Sequence, residues 1–156
     1  MMERRIQTLE ELEAEATAFV ASISPREGGA TLVTLSGELG TGKTAFAQAV
    51  ARALGVEDVV TSPTFVLEKI YQLEDTACPP AADGHGVSFK RLVHIDAYRL
   101  ESGTDLAHLG FDELMKDSNN LILLEWPERV NGALPAAATR VALRLNDDGS
   151  RTVSYG

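Results

Sequence analysis

The chain has 156 residues, 44% of them hydrophobic and 24% charged, with a formal net charge of −9. That length and balance suit one globular domain with a proper core. The acidity argues against a broad nucleic-acid or anionic-membrane surface, since both need clustered Lys and Arg, and the single cysteine, Cys78, excludes an internal disulfide and a cysteine metal cluster.

The first residues, Met1-Met2-Glu3-Arg4-Arg5-Ile6, lack the apolar core of a signal peptide. No apolar run approaches the ~18 residues that span a bilayer, so the expected compartment is the cytoplasm. Thr8-Leu9-Glu10-Glu11 is a capping-box pattern. Behind it Leu12, Ala16, Phe19, Val20 and Ile23 share one helical face, and the helix should end near Ser24-Pro25.

Thr31-Leu32-Val33-Thr34-Leu35 is a β-rich run. Gly37-Glu38-Leu39-Gly40-Thr41-Gly42-Lys43-Thr44 follows it and fits G-x-x-x-x-G-K-[ST] at every fixed position. The chemistry needs those residue types at that spacing. The glycines let the backbone curl until several N–H groups point inward as an anion nest. The helix that follows aims its positive end at the same point. Lys43 can reach β- and γ-phosphates as a point charge, and the Thr44 hydroxyl can ligate Mg²⁺. Phe46, Ala49, Val50, Ala53 and Leu54 then fall on one helical face, and Gly55 stands where a helix stop belongs.

Thr61-Ser62-Pro63-Thr64 precedes a second β-rich run, Phe65 to Tyr71. Two readings stand side by side here: hydroxyls that sense a γ-phosphate or its Mg²⁺, or a Ser-Pro turn that opens a strand. Gln72 to Phe89 is polar, with Pro79-Pro80, Gly84 and Gly86, and reads as an exposed, mobile insertion. Asp83-Gly84-His85-Gly86 fits the D-x-x-G of GTPases but lacks a buried strand before it, and the guanine-reading N-K-x-D pattern is absent. Adenine is favoured by default.

Arg91 to Asp96 is a strand that ends on a carboxylate, which makes Asp96 a candidate for organising Mg²⁺. His94 faces the same side as Asp96, and a hydrogen-bonded structural histidine is the preferred reading over a metal ligand. Ser102 to Lys116 reads as one or two short helices broken at Gly110, with Leu106, Leu109, Phe111, Leu114 and Met115 buried. Leu121-Ile122-Leu123-Leu124 is a strand buried on both faces. It ends at Glu125, where open α/β sheets bind ligands. Glu125 is then a second Mg²⁺ candidate, a group that orients water, or a plain strand cap. Trp126 reads as packing. Val141, Leu143 and Leu145 alternate, Asn146-Asp147-Asp148-Gly149 turns the chain, and Arg151 to Tyr155 returns as a hairpin at the sheet's edge.

Five stretches now stand together: Gly-Glu-Leu-Gly-Thr-Gly-Lys-Thr at 37–44, Ser-Pro-Thr-Phe at 62–65, His-Ile-Asp-Ala-Tyr-Arg-Leu at 94–100, Leu-Gly-Phe-Asp-Glu at 109–113 and Leu-Glu-Trp-Pro-Glu at 124–128. In that order and spacing they closely resemble the bacterial TsaE (YjeE) family over nearly the whole chain. The resemblance implies a small ATPase of the tRNA threonylcarbamoyladenosine pathway, acting with TsaD and TsaB. It implies that residues 37–44 hold the ATP phosphates and that Thr44 and Glu125 ligate Mg²⁺. It implies a switch-like loop at Thr64, a Walker-B-like position for Asp96, and a nucleotide base near the N-terminal helix. The 72–89 segment is longer and more polar than the family's pattern. The acidic balance suits a protein that serves tRNA through partners, without an extensive tRNA surface of its own.

The fold expected is a single α/β P-loop NTPase domain with a mainly parallel sheet and an antiparallel C-terminal hairpin. The function expected is ATP binding and slow hydrolysis, with Lys43, Thr64, Asp96 and Glu125 in the chemistry. The rival is a small-molecule kinase of the same class. Against it, the 72–89 insertion has no Arg, whereas a kinase lid usually carries several to clamp phosphates.

Overall fold

The structure, a computed structural model, describes residues 2–26, 28–38, 40–56, 68–73, 89–135 and 139–155. The Ser62–Phe65 loop with Thr64, most of the 72–89 insertion with Cys78, and Leu39 lie outside the described residues.

In chain order the elements are β1 (Met2–Ile6), α1 (Leu9–Ser22), β2 (Thr31–Ser36), α2 (Lys43–Ala53), β3 (Glu68–Gln72), β4 (Arg91–Asp96), α3 (Gly103–His108), α4 (Phe111–Met115), β5 (Asn120–Glu125), β6 (Thr139–Leu145) and β7 (Arg151–Tyr155). Two one-turn 3₁₀ helices, Pro127–Arg129 and Asn131–Ala133, lie between β5 and β6. One seven-stranded sheet runs in the order β1-β7-β6-β2-β5-β4-β3. Its centre is parallel: β6 with β2, β2 with β5, and β5 with β4. Its flanks are antiparallel: β3 on β4, and the β6–β7 hairpin with β1 beyond it.

The central strands read as continuous apolar runs because both faces are covered. The period of two sorts their side chains. Val33, Leu35, Leu92, Leu121 and Leu123 join the core under α1 and α2. Leu32, Val93, Ile95, Ile122 and Leu124 join the core under α3 and α4. Each fully buried Leu or Ile of these layers contributes roughly 1.5–3 kcal/mol of burial.

The helices obey their local signals. The Thr8 hydroxyl caps α1, accepting from the Glu11 amide at 3.1 Å, while the Glu11 carboxylate reaches one residue past the capping-box position to accept from the Gln7 amide at 3.1 Å. Phe19 of α1 meets Phe46 of α2 and Tyr155 of β7, with ring centroids 5.8 and 5.1 Å apart. The Tyr155 hydroxyl also donates to Glu15 at 2.6 Å, which ties α1 to the C-terminal hairpin. Gly55 and Gly110 adopt φ +86° and +79°, ending α2 and separating α3 from α4 as their positions suggest.

The structure adds one strand that the sequence pattern did not reveal and corrects one placement. β1 pairs with β7 from Met2↔Tyr155 to Ile6↔Arg151. The hairpin is therefore not the sheet's edge; β1 is. Ile6 is the buried apolar side chain among its described ones, so no two-residue alternation marks the strand. Main-chain pairing holds it in place, together with Arg5, which pairs with Asp148 and donates to Ser150 at 3.0 Å; neither leaves a two-residue apolar alternation.

Candidate functional site

The loop between β2 and α2 is shaped by its glycines. Gly37 stands at φ +144°, and a Cβ there would lie 2.5 Å from the Leu143 carbonyl oxygen and 2.7 Å from Thr41 Oγ1. Gly42, at φ +101°, is the residue before α2, and a Cβ there would press on Arg151 of β7. The angles at both positions favour glycine, and at Gly37 the Leu143 main chain leaves no room for a Cβ. The first turn of α2 has no side-chain cap. Its amides are thus directed at the loop, as an anion-binding helix end requires.

Lys43 is the first residue of α2 and is 5% exposed. Its ammonium donates to the Gly37 carbonyl and, at 2.9 Å, to the Glu38 carbonyl. It also stands 4.2 Å from the centroid of the Trp126 ring. Burial pulls its pKa below the ordinary lysine value, while the carboxylates of Glu125, Glu128 and Asp96 work the other way. The cation is thus held in the loop at the expense of hydration, among weak acceptors that a phosphate oxygen can replace.

The carboxyl ends of β4 and β5 close the other side. Asp96 and Glu125 are register partners there. Main-chain bonds stitch these ends together: the Ala97 amide donates to the Glu125 carbonyl at 3.0 Å, and the Trp126 amide to the Leu35 carbonyl of β2 at 3.2 Å. Glu125 is 2% exposed. Its Oε1 accepts from the Thr44 hydroxyl at 3.3 Å, and its Oε2 lies 2.6 Å from His94 Nε2. The carboxylate of Asp96 accepts from the Tyr98 amide at 3.0 Å.

These groups line one cleft of about 390 Å³, bounded by Gly40, Gly42, Lys43, Thr44, Asp96 and Glu125, with Tyr98, Trp126 and Arg151 at its sides. A second cavity of about 200 Å³ adjoins it, sharing Gly42, Ala45 and Arg151. It is mostly apolar and is walled by Ile6 at the end of β1 and by Thr8, Leu9 and Leu12 around the start of α1.

The described residues bring together most of the candidates read from the sequence. Gly37, Glu38, Gly40, Thr41, Gly42, Lys43 and Thr44 form the loop, and Asp96 and Glu125 face it. Leu39 and Thr64 lie outside the described residues. His94 is hydrogen-bonded, as its preferred reading held. Three features go beyond that reading. Trp126 does more than pack: it adopts φ +62°, faces Lys43, and lies 5.0 Å from Tyr98, whose ring in turn lies 5.2 Å from the Arg129 guanidinium. His94 is bound to Glu125. Arg151 reaches the loop, donating to the Gly40 carbonyl at 3.4 Å. The hairpin was legible, but its place beside β2 is a matter of strand order, and that alone brings Arg151 to the cleft.

The donor set suits a hard cation on a nucleotide. Among the described residues no group of three or more His, Cys, Asp or Glu is able to hold a metal by itself. A hydroxyl and one carboxylate beside a phosphate nest is the arrangement in which Mg²⁺ keeps its waters and takes substrate phosphate as further ligands. Among the described residues no helix is long and apolar enough to cross a membrane.

A family model described as threonylcarbamoyl adenosine biosynthesis protein TsaE matches residues 6–153. The tRNA threonylcarbamoyladenosine biosynthesis protein TsaE of Treponema pallidum is 33% identical over 124 residues, 80% of this chain and 80% of its own. That of Rickettsia bellii is 33% identical over 143 residues, 91% of this chain and 85% of its own. The crystal structure of YdiB from Bacillus subtilis matches with a TM-score of 0.72 at 27% identity, covering 99% of this chain and 83% of that one. The chain belongs to the TsaE family, whose members serve tRNA threonylcarbamoyladenosine biosynthesis.

Proposed function

We propose that this chain binds and hydrolyses ATP with Mg²⁺, in support of a TsaD–TsaB complex that forms N6-threonylcarbamoyladenosine in tRNAs reading codons that begin with A. One observation carries the reading. Lys43 and Thr44 at the start of α2 face the buried Glu125 across a single cleft, with Thr44 Oγ1 3.3 Å from its carboxylate.

The roles follow from the groups. The loop amides and Lys43 bind and orient the β- and γ-phosphates and balance charge that develops on transfer. Thr44 and Glu125 would hold Mg²⁺, which supplies charge neutralisation on the phosphates and a fixed template for them. Asp96, beside Glu125 at the strand ends, positions the attacking water. Thr64 would complete the site as part of a switch-like loop. The apolar cavity next to Gly42 and Ala45 suits a flat purine, and Arg151 stands where a ligand spanning the two cavities would pass. The net charge of −9 favours a partner-mediated role over direct contact with extensive tRNA.

The test is Mg²⁺-dependent phosphate release from ATP by the purified protein, alone and with TsaD and TsaB added. Slow release that rises with the partners is the expected result. Release that is indifferent to them removes the pathway coupling and turns the search to small phosphoryl acceptors.

A further inference from the structure

His94 is a buried polar group to which the proposed chemistry gives no task. It sits within β4, in register with Leu123 of β5 and Lys69 of β3, and is 1% exposed. The sheet face it occupies is otherwise apolar around Leu92, Leu121 and Leu123. Its Nε2 meets Glu125 Oε2 at 2.6 Å, while its Nδ1 is buried with no hydrogen-bond partner among the described residues. An ionised carboxylate only accepts, so Nε2 is the donor in this contact, and Nδ1 is left without a partner.

That half-satisfied state needs a reason. Most buried side-chain nitrogens are hydrogen-bonded, and an unpaired buried polar atom costs stability that a leucine in the same layer would not. What the imidazole supplies is the position of the carboxylate. Glu125 has two oxygens and two partners: Oε2 is engaged by His94, and Oε1 faces the Thr44 hydroxyl. Without the imidazole donor the buried carboxylate would keep one neutral partner and the pull of the Lys43 cation, with which it interacts electrostatically. It would then be free to turn toward the ammonium and away from Thr44.

We infer that His94 is a positioning residue for Glu125: by engaging Oε2 it presents Oε1, together with Thr44 Oγ1, to a divalent cation carried on the nucleotide phosphates. The inference rests on the nucleotide site proposed above and extends it to a residue outside the loop. Partners that orient metal-binding groups in this way typically matter by 10- to 100-fold in metal affinity.

The experiment compares His94→Leu, His94→Asn and His94→Gln with the unaltered chain. Glutamine places an amide N–H the same number of bonds from the backbone as Nε2; asparagine is one bond short, and leucine has no donor. The readout is ATP binding, followed by the fluorescence of Trp126, which lines the cleft and is the chain's one tryptophan. Binding is titrated with Mg²⁺ and repeated in chelator, and each variant's fold is checked by thermal melting. The expected result is a Mg²⁺ half-saturation raised roughly 10- to 100-fold in His94→Leu and His94→Asn. His94→Gln should stay within a few-fold of the unaltered chain, and ATP affinity in chelator should be unchanged throughout. If His94→Leu does not fold, the contrast between Gln and Asn carries the decision. Unshifted Mg²⁺ response in Leu and Asn overturns the inference, as does an equal loss with and without Mg²⁺ in all three. Failure of the unaltered chain to bind ATP at all overturns the site itself, a result distinct from either.

Discussion

Among the described residues two cations, Lys43 and Arg151, reach the loop between β2 and α2, and they differ in how they are held. Lys43 is buried, donates to two loop carbonyls and lies against Trp126. Arg151 is exposed and makes one long bond to Gly40. A buried cation already stripped of water gives more to a phosphate than an exposed one. Lys43→Ala should therefore abolish measurable ATP binding. Arg151→Ala should weaken it by about tenfold, the roughly 1.4 kcal/mol of one charge-assisted hydrogen bond, and leave the Mg²⁺ half-saturation unchanged. Calorimetric titration of the two variants decides this; equal losses would mean that Arg151 belongs to the loop's core and not its rim. Lys43 was legible because its chemistry and its sequence neighbours are one motif. Arg151 was not, because its role depends on β7 lying near a loop 111 residues away.

At the scale of elements, α1 is fastened to the hairpin by Tyr155. Burial first, and then the hydrogen bond to the Glu15 carboxylate, push the phenol up to about 12 from its ordinary 10.0. A folded-state value above the unfolded one means that folding favours the protonated phenol. This contribution is complete below about pH 10 and is lost as pH rises toward about 12. Denaturant midpoints between about pH 9 and about pH 11.5 should thus fall more steeply for the unaltered chain than for Tyr155→Phe, with the curves converging at the alkaline end. Parallel curves would remove the linkage. The helices α1 and α2 and the strands β4 and β5 were readable nearly to the residue, because caps, glycine stops and apolar periodicity are local. β1 was not. Its stabilisation comes from pairing with β7 across the whole chain, and its described side chains bury little beyond Ile6.

At the scale of the molecule, the parallel centre of the sheet gathers the ends of β2, β5 and β4 at one edge, where parallel strands leave their carboxyl ends facing a common ligand. The antiparallel flanks add Arg151 and the apolar cavity beside it. The carboxylates at strand ends could be read from the sequence as candidates. That Glu125 rather than Asp96 meets Thr44 is a matter of strand order: the two carboxylates are in register, but β5 and not β4 lies beside β2.

The distances along the chain have one more consequence. The loop at 37–44 meets Glu125 across 81 residues and Arg151 across 111. Such long-range closures form slowly, since their loop entropy must be overcome before the contacts exist. During synthesis the nest emerges well before its carboxylate and its second cation, so a nascent or half-folded chain should carry the motif without the affinity. In a refolding experiment, the ATP-dependent part of the Trp126 signal should therefore arise with the last kinetic phase, after helical structure has formed. If it arose with the helices, the loop alone would suffice for binding. Otherwise, response to nucleotide doubles as a report that the sheet has finished assembling.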